Sequence, residues 1–148
     1  MIVGYTTGVF DLFHIGHLNI LRNARAMCDR LIVGVTTDEL LEEYKGKHPV
    51  IPFEERIQIV RAIEHVDVAV AQESMNKFEV WKKMQFDIMF VGDDWHQTPQ
   101  WEIIEAKFSE VGVRIAYFPY TRGTSSTLIN DFLQKEREKS QEPDTVKE

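Results

Sequence analysis

Between an apolar run and an amphipathic segment, residues 8–17 read Gly8-Val9-Phe10-Asp11-Leu12-Phe13-His14-Ile15-Gly16-His17. The apolar run, residues 2–7, predicts a short buried strand, and Gly8 permits a close backbone turn after it. Apolar residues spaced from Leu18 to Cys28 predict a helix that starts near Gly16. A strand that leads through a glycine turn into a helix N-terminus presents free N–H groups and a positive dipole end to an anion. The segment therefore predicts a phosphate-binding site.

His14 and His17 fall on one face of the first helical turn, so both imidazoles can point at the same phosphate. A metal site has less support, because no glutamate lies between them as in the HExxH helix and Cys28, the single cysteine, belongs to the apolar stripe. Helix capping alone would be the ordinary role of an isolated pair. The glycine turn before the pair favours phosphate binding.

Apolar runs alternate with helical patterns along the rest of the chain. The strand-like runs are Ile2–Thr7, Leu31–Thr36, Val66–Ala71, Ile88–Val91 and Val113–Phe118. The helical patterns are Gly16–Cys28, Asp38–Glu43, Phe53–Glu64, Lys77–Met84, Trp101–Glu110 and Thr127–Arg137. This alternation predicts a Rossmann-like α/β three-layer sandwich with a parallel sheet.

Ligands of such sheets bind beyond the carboxyl ends of the strands. Residues 8–17, 92–95 and 121–127 each follow a predicted strand. We therefore expect these three segments to converge on one pocket, although they are distant in the sequence.

The length and composition bound the kind of protein. With 148 residues, of which 43% are hydrophobic, we expect a single domain over residues 1–133, followed by a charged and disordered tail over residues 134–148. No apolar run approaches the roughly 18 residues of a membrane span, and no leader pattern opens the chain. One cysteine excludes an intrachain disulfide, so a cytoplasmic location is expected.

The formal net charge of −7 argues against a nucleic-acid partner, since such proteins usually display a basic face. It does not argue against nucleotide binding. A few well-placed cations and backbone amides decide how one triphosphate is held.

Two cationic segments lie between the second and third predicted strands. Residues 42–52 have weak periodicity and contain Lys45 and Lys47, which fits a mobile loop over the site or a plain solvated loop. Arg56 opens a helix, where its guanidinium could bind phosphate or form a surface ion pair with Glu54 or Glu55.

Two polar segments follow later strands. Asp93 and Asp94 could order a turn, hold a magnesium ion indirectly or contact an acceptor hydroxyl. Trp95 could form an apolar wall of a ligand pocket or pack in the core. The segment Thr121–Thr127 is rich in hydroxyls and opens a helix. The hydroxyls of Ser125, Ser126 and Thr127 exceed what a helix N-cap requires, which favours phosphate contacts.

Over residues 1–131 the chain resembles the cytidylyltransferase family of nucleotidyltransferases. Residues Gly8–His17 match the family's GxFDxxHxGH pattern at every fixed position. Gly92-Asp93-Asp94-Trp95 is similar to the GDDW segment of bacterial glycerol-3-phosphate cytidylyltransferases. The family's RTxGxSTT pattern is matched in part, because Tyr120 stands where an arginine is expected and Arg122 follows two positions later.

The resemblance implies an HxGH nucleotidyltransferase that moves CMP from CTP to a small phosphorylated alcohol, best glycerol 3-phosphate, and releases pyrophosphate. It implies nucleotide-bound Mg²⁺, no metal site formed by the protein, and a homodimer. It assigns catalysis to His14, His17 and Lys45. It assigns nucleotide binding to the same three residues with Thr7, Gly8, Val9, Phe10, Gly92, Thr121, Arg122, Thr124, Ser125, Ser126 and Thr127. It assigns acceptor binding to Lys47, Arg56, Asp93, Asp94 and Trp95.

Other functions stay open on the sequence. Because Tyr120 departs from the family pattern, the acceptor of a cytidylyltransferase could instead be a different sugar, polyol or amino-alcohol phosphate. Adenylyl transfer, for example to a flavin or phosphopantetheine-like acceptor, uses a similar phosphate site on the same fold. A module that binds a nucleotide without turnover is a third alternative, although it would not need both histidines.

Overall fold

A computed structural model describes residues 1–92, 98–119 and 126–141, with side chains described up to residue 139 except those of residues 126–128. The strands are β1 (Val3–Gly8), β2 (Arg30–Thr36), β3 (Val68–Gln72), β4 (Ile88–Gly92) and β5 (Arg114–Phe118). The helices are α1 (Ile15–Arg25), α2 (Asp38–Lys45), α3 (Phe53–Arg61), α4 (Lys77–Met84), α5 (Pro99–Glu110) and α6 (Ser126–Gln141). Every predicted strand and helix is present, with ends shifted by a few residues.

The five strands form one parallel sheet in the order β3-β2-β1-β4-β5. Gly4 of β1 pairs with Leu31 of β2 on one side and with Ile88 of β4 on the other. The first strand is therefore central, and the chain reverses direction across the sheet between β3 and β4. Parallel α/β sheets bind their ligands at such a switch point, so the topology brings the ends of β1 and β4 to the expected site.

Apolar side chains cover both faces of the sheet and make the three layers. One core cluster joins α1 and α3 to the sheet and includes Leu21, Val33 and Val60, all fully buried. A second cluster joins α5 to the other face and includes Tyr5 and Phe108. These two cores confirm the predicted α/β sandwich.

Helix α6 extends past residue 134, where the sequence predicts the charged tail to begin. It continues to Gln141, and Lys139 Nζ lies 3.6 Å from Glu136 Oε1, one turn earlier. Lysine, glutamate, arginine and glutamine are good helix formers, so a charged sequence without an apolar stripe can continue a helix that has already begun.

No helix among the described residues is long and apolar enough to cross a membrane.

Candidate functional site

A cavity of about 360 Å³ lies at the carboxyl ends of the central strands, where the topology predicts a ligand. It is lined by seven of the predicted site residues: Thr7, Gly8, Val9, Phe10, His17, Lys45 and Gly92. Since these residues come from β1, α1, α2 and β4, the fold brings together segments that are up to 85 positions apart in the sequence.

The loop between β1 and α1 has an unusual backbone. Phe10 and Leu12 have φ angles of 56° and 49°, in the left-handed region that side chains with a Cβ seldom adopt. Both oxygens of the Asp11 carboxylate accept backbone N–H groups, from Val50 at 2.8 Å and from Ile51 at 2.9 Å. The shape of this loop thus depends on contacts with the segment that precedes α3, and it fixes where α1 begins.

His14 and His17 cap α1 reciprocally. The Nδ1 atom of His14 accepts the N–H of Gly16 at 3.0 Å, and Nδ1 of His17 accepts the N–H of His14 at 3.2 Å. A nitrogen that accepts a hydrogen bond carries no proton, so each neutral imidazole has its proton on Nε2. The capping role considered from the sequence is therefore present, and it leaves two Nε2–H donors at the helix N-terminus.

The surroundings of the histidines keep them neutral. The ring of His17 packs against Phe10 and Phe13, at centroid distances of 5.4 Å and 5.2 Å. Burial, and to a lesser degree the neighbouring His14, lower the pKa of His17 to about 4, and burial lowers the pKa of His14 as well. The two ring centroids are 4.0 Å apart, although His14 itself does not line the cavity.

Arg56 is not among the described residues that line the cavity, and its expected acceptor contact stays a prediction. Its side chain is fully buried, and Nη2 donates to Asp38 Oδ1 at 2.5 Å. The other described bonds run to backbone carbonyls: those of Val9 and Thr36 from Nη1, and that of Ile51 from Nε. The alternative of a surface ion pair with Glu54 or Glu55 is wrong, because the buried guanidinium joins the β1–α1 loop, the end of β2 and the segment before α3.

The two lysines of the expected loop differ in position. Lys45 is the last residue of α2, lines the cavity, and has its ammonium 5.4 Å from the ring centroid of Tyr44. Gly46 ends the helix in the left-handed conformation, with a φ of 63°. Lys47 lies beyond this turn, is exposed, and does not line the cavity. Lys45 is thus carried by a helix, contrary to the expected mobile loop.

Sequence reasoning missed a polar group at the ends of β2 and β3. The Oε1 atom of Gln72 accepts hydrogen bonds from the hydroxyls of Thr7 and Thr36, and all three side chains line the cavity. The glutamine at the end of an apolar strand was the sequence signal from which this polar group could have been predicted. Lys77, the first residue of α4, also lines the cavity, although the sequence pattern predicts it only as the start of a helix.

Several expected site residues lie outside the described part of the chain. These are Asp93, Asp94 and Trp95, and in the last motif Tyr120, Thr121, Arg122, Thr124 and Ser125. Ser126 and Thr127 begin α6, but their side chains are not described.

Comparisons with known proteins identify the family of this site. A family model described as cytidylyltransferase-like matches residues 5–132. A FAD synthase from Thermococcus sibiricus is 30% identical over 131 residues, which cover 88% of either chain. An ethanolamine-phosphate cytidylyltransferase from Arabidopsis thaliana is 36% identical over 144 residues, covering 92% of this chain and 33% of that protein.

The fold is also found in solved structures. A lipopolysaccharide core biosynthesis protein from Thermoplasma volcanium superposes with a TM-score of 0.69 at 24% identity, covering 84% of this chain and 99% of that one. The likeness in fold agrees with the sequence match, which extends from β1 into α6. The chain belongs to the cytidylyltransferase-like family of nucleotidyltransferases.

Proposed function

We propose that this enzyme transfers CMP from CTP to a small phosphorylated alcohol, with glycerol 3-phosphate as the best acceptor, and releases pyrophosphate. The observation that carries the proposal is the reciprocal cap of His14 and His17, which fixes two Nε2–H donors at the N-terminus of α1. Two neutral donors beside a helix dipole suit a phosphate that gains charge during reaction.

The proposed reaction is an in-line displacement. An oxygen of the acceptor phosphate forms a bond to the α-phosphorus of CTP, while the bond from that phosphorus to the bridging oxygen breaks. The electron pair of that bond leaves with pyrophosphate. The acceptor oxygen is already anionic near neutral pH, so the protein needs no strong general base. Catalysis then rests on positioning and on hydrogen bonds that strengthen in the transition state.

The chain's own residues divide this task. The imidazoles of His14 and His17 would donate to oxygens of the α-phosphate from one side, and the ammonium of Lys45 would neutralise charge on the triphosphate from the end of α2. The loop from Val9 to Phe13 would exclude water from one side of the reacting atoms, because its two phenylalanines pack against His17.

A divalent metal, Mg²⁺ in our proposal, would come bound to the triphosphate. Among the described residues no three histidine, cysteine, aspartate or glutamate side chains come together as metal ligands. In this proposal, oxygens of the triphosphate would coordinate the metal. The metal would offset charge on the departing pyrophosphate.

One experiment tests the identity of the acceptor and the identity of the nucleobase together. CTP and ATP are each combined with glycerol 3-phosphate, phosphoethanolamine and FMN, and pyrophosphate release is measured. Turnover of CTP with glycerol 3-phosphate at the highest kcat/KM is the expected result. FAD synthases at 30% and 34% identity make ATP with FMN the second candidate, so faster turnover of that pair would overturn the choice of substrates.

The same assay tests enzyme against binding module. A protein that binds CTP in calorimetry but releases no pyrophosphate with any acceptor would be a nucleotide-binding module. The proposal includes a homodimer, for which light scattering of the purified chain should give twice the monomer mass of 17.3 kDa.

A further inference from the structure

Lys77 is a cation of the cavity to which neither the motifs nor the proposed reaction gives a role. It is the first residue of α4, which follows β3 at the edge of the sheet. Its side chain is partly buried and lines the cavity together with Thr7 and Gln72, the two side chains that are hydrogen-bonded to each other.

The position of Lys77 is unfavourable for a charged ammonium. The first turn of a helix carries the positive end of the dipole, which favours anions and disfavours cations. Asn76 already caps this helix by accepting the N–H groups of Phe78 and Glu79. Burial lowers the pKa of Lys77, and no ion pair or hydrogen bond of its ammonium occurs among the described residues. A bound anion would relieve each of these costs at once.

The described lining of the cavity is cationic. It includes two lysines, Lys45 and Lys77, and no aspartate or glutamate. The chain has 24 aspartates and glutamates and a net charge of −7, so this described lining differs from the average composition of the chain. Such a local excess of positive charge attracts phosphate groups into the cavity.

Lys77 and His17 line the cavity from different sides. The histidines follow β1 and Lys45 follows β2, whereas Lys77 follows β3, two strands away from β1. Helix α1 packs on one face of the sheet and α4 on the other. A phosphate held by Lys77 would therefore approach the α-phosphorus from a side that the histidines do not occupy, where an attacking group must lie.

We propose that Lys77 binds the phosphate of the acceptor and orients its oxygen toward the α-phosphorus. This inference rests on the proposed function, because it assumes that a phosphorylated acceptor is the second substrate. No proton moves in this step, and the ammonium stays charged. Because it holds the acceptor phosphate in place, the nucleophile loses less entropy when it reaches the reacting geometry.

The test compares Lys77→Gln with Lys83→Gln, an exposed lysine of the same helix, so that both variants lose one positive charge from α4. Kinetics are measured with the acceptor that the wild type uses. We expect Lys77→Gln to raise the KM of the acceptor by about 10- to 100-fold, the range for a lost charge-assisted contact, and to change the KM of the nucleotide less than about threefold. Lys83→Gln should match the wild type, and Lys77→Arg should recover part of the loss.

If Lys77→Gln leaves the KM of the acceptor unchanged, or raises only the KM of the nucleotide, the inference about Lys77 is wrong. The proposed function would still stand in that case, because it depends on turnover by the wild type. If the wild type releases no pyrophosphate, binding of inorganic phosphate is measured by calorimetry instead. Phosphate binding that is lost in Lys77→Gln but kept in Lys83→Gln supports an anion site at Lys77. Equal binding by both variants overturns it.

Discussion

At the scale of single residues, the imidazole of His14 has two separable tasks. Its Nδ1 caps α1 and its Nε2–H is assigned to the α-phosphate. Asparagine also caps helices well, through its side-chain oxygen, but it cannot place a donor where Nε2 lies. We expect His14→Asn to keep the stability of the wild type within about 0.5 kcal/mol, and His14→Ala to lose about 1 kcal/mol. Both should lower kcat by about 100-fold, as expected for one lost transition-state donor.

These expectations are checked by urea unfolding and by pyrophosphate release. The matched pair separates the two tasks because only one variant keeps a capping atom. A His14→Asn enzyme with wild-type kcat would show that the residue acts through the cap alone.

His17 makes the stability of the fold depend on pH. Its pKa is about 4 in the folded protein and 6.5 in an unfolded chain, so between these values the unfolded chain binds the extra proton. The free energy of unfolding therefore falls as the pH drops from 6.5 to 4, by at most about 3 kcal/mol, and the contribution is fully present above pH 6.5.

The measurement is urea unfolding at several pH values for the wild type and for His17→Gln, which does not titrate in this range. The difference between the two proteins isolates His17 from the carboxylates. Parallel profiles for the two proteins between pH 6.5 and 4 would contradict the assignment.

At the scale of elements, Arg56 joins the β1–α1 loop, the end of β2 and the start of α3. Truncation would leave buried carbonyl groups without donors and Asp38 without its partner. We expect Arg56→Ala to lose about 3 to 5 kcal/mol of stability, the range for breaking a buried pair. Arg56→Lys should recover little, because one ammonium cannot replace a planar fork.

Arg61→Ala is the control, since Arg61 is an exposed arginine on the same helix with one long bond of 3.4 Å to the Ala69 carbonyl. It should cost less than about 1 kcal/mol in the same denaturation assay. An Arg56→Ala protein of normal stability that binds its acceptor poorly would support the ligand contact expected from the sequence.

Backbone hydrogen bonds anchor both ends of the segment between α2 and α3, which the sequence predicts as a mobile loop over residues 42–52. The amides of Val50 and Ile51 are bonded to Asp11, and the amide of Gly46 is bonded to Glu42 at the end of α2. We therefore expect CTP with Mg²⁺ to slow hydrogen exchange at Lys47 and His48, the two amides between these anchors, if the segment closes over the nucleotide.

Exchange is followed by mass spectrometry or NMR with and without saturating nucleotide, and the amides of α3 serve as an internal reference. Identical exchange at positions 47 and 48 in both states would count against a closing lid.

At the scale of the whole molecule, periodicity and turn residues suffice to predict the sheet and both of its covered faces. The apolar stripes of α1 and α3 and the β-branched run of β2 each permit one kind of element, and their alternation permits few topologies. The exception is α6, where a charged segment without a stripe continues as a helix to Gln141.

The site was less predictable than the fold because its geometry depends on long-range packing. The GxFDxxHxGH segment locates the phosphate loop from local sequence alone. Arg56 shows the limit: the same residue type on the same helix can reach a ligand or turn inward, and only the loops around it decide. Lys77 and Gln72 carry no local pattern, so their place in the cavity follows from the strand order.

The aromatic packing around His17 makes nucleotide binding a proton-linked event. In the free protein the imidazole resists protonation, with a pKa of about 4, and a triphosphate beside it favours the imidazolium and raises that pKa. Near pH 6 the complex should therefore take up a fraction of a proton from the buffer as it forms. Calorimetric titrations with CTP and Mg²⁺ in two buffers of different ionisation enthalpy measure that uptake directly, and His17→Gln should reduce it. Equal binding enthalpies in both buffers would mean that the ring stays neutral when the nucleotide binds.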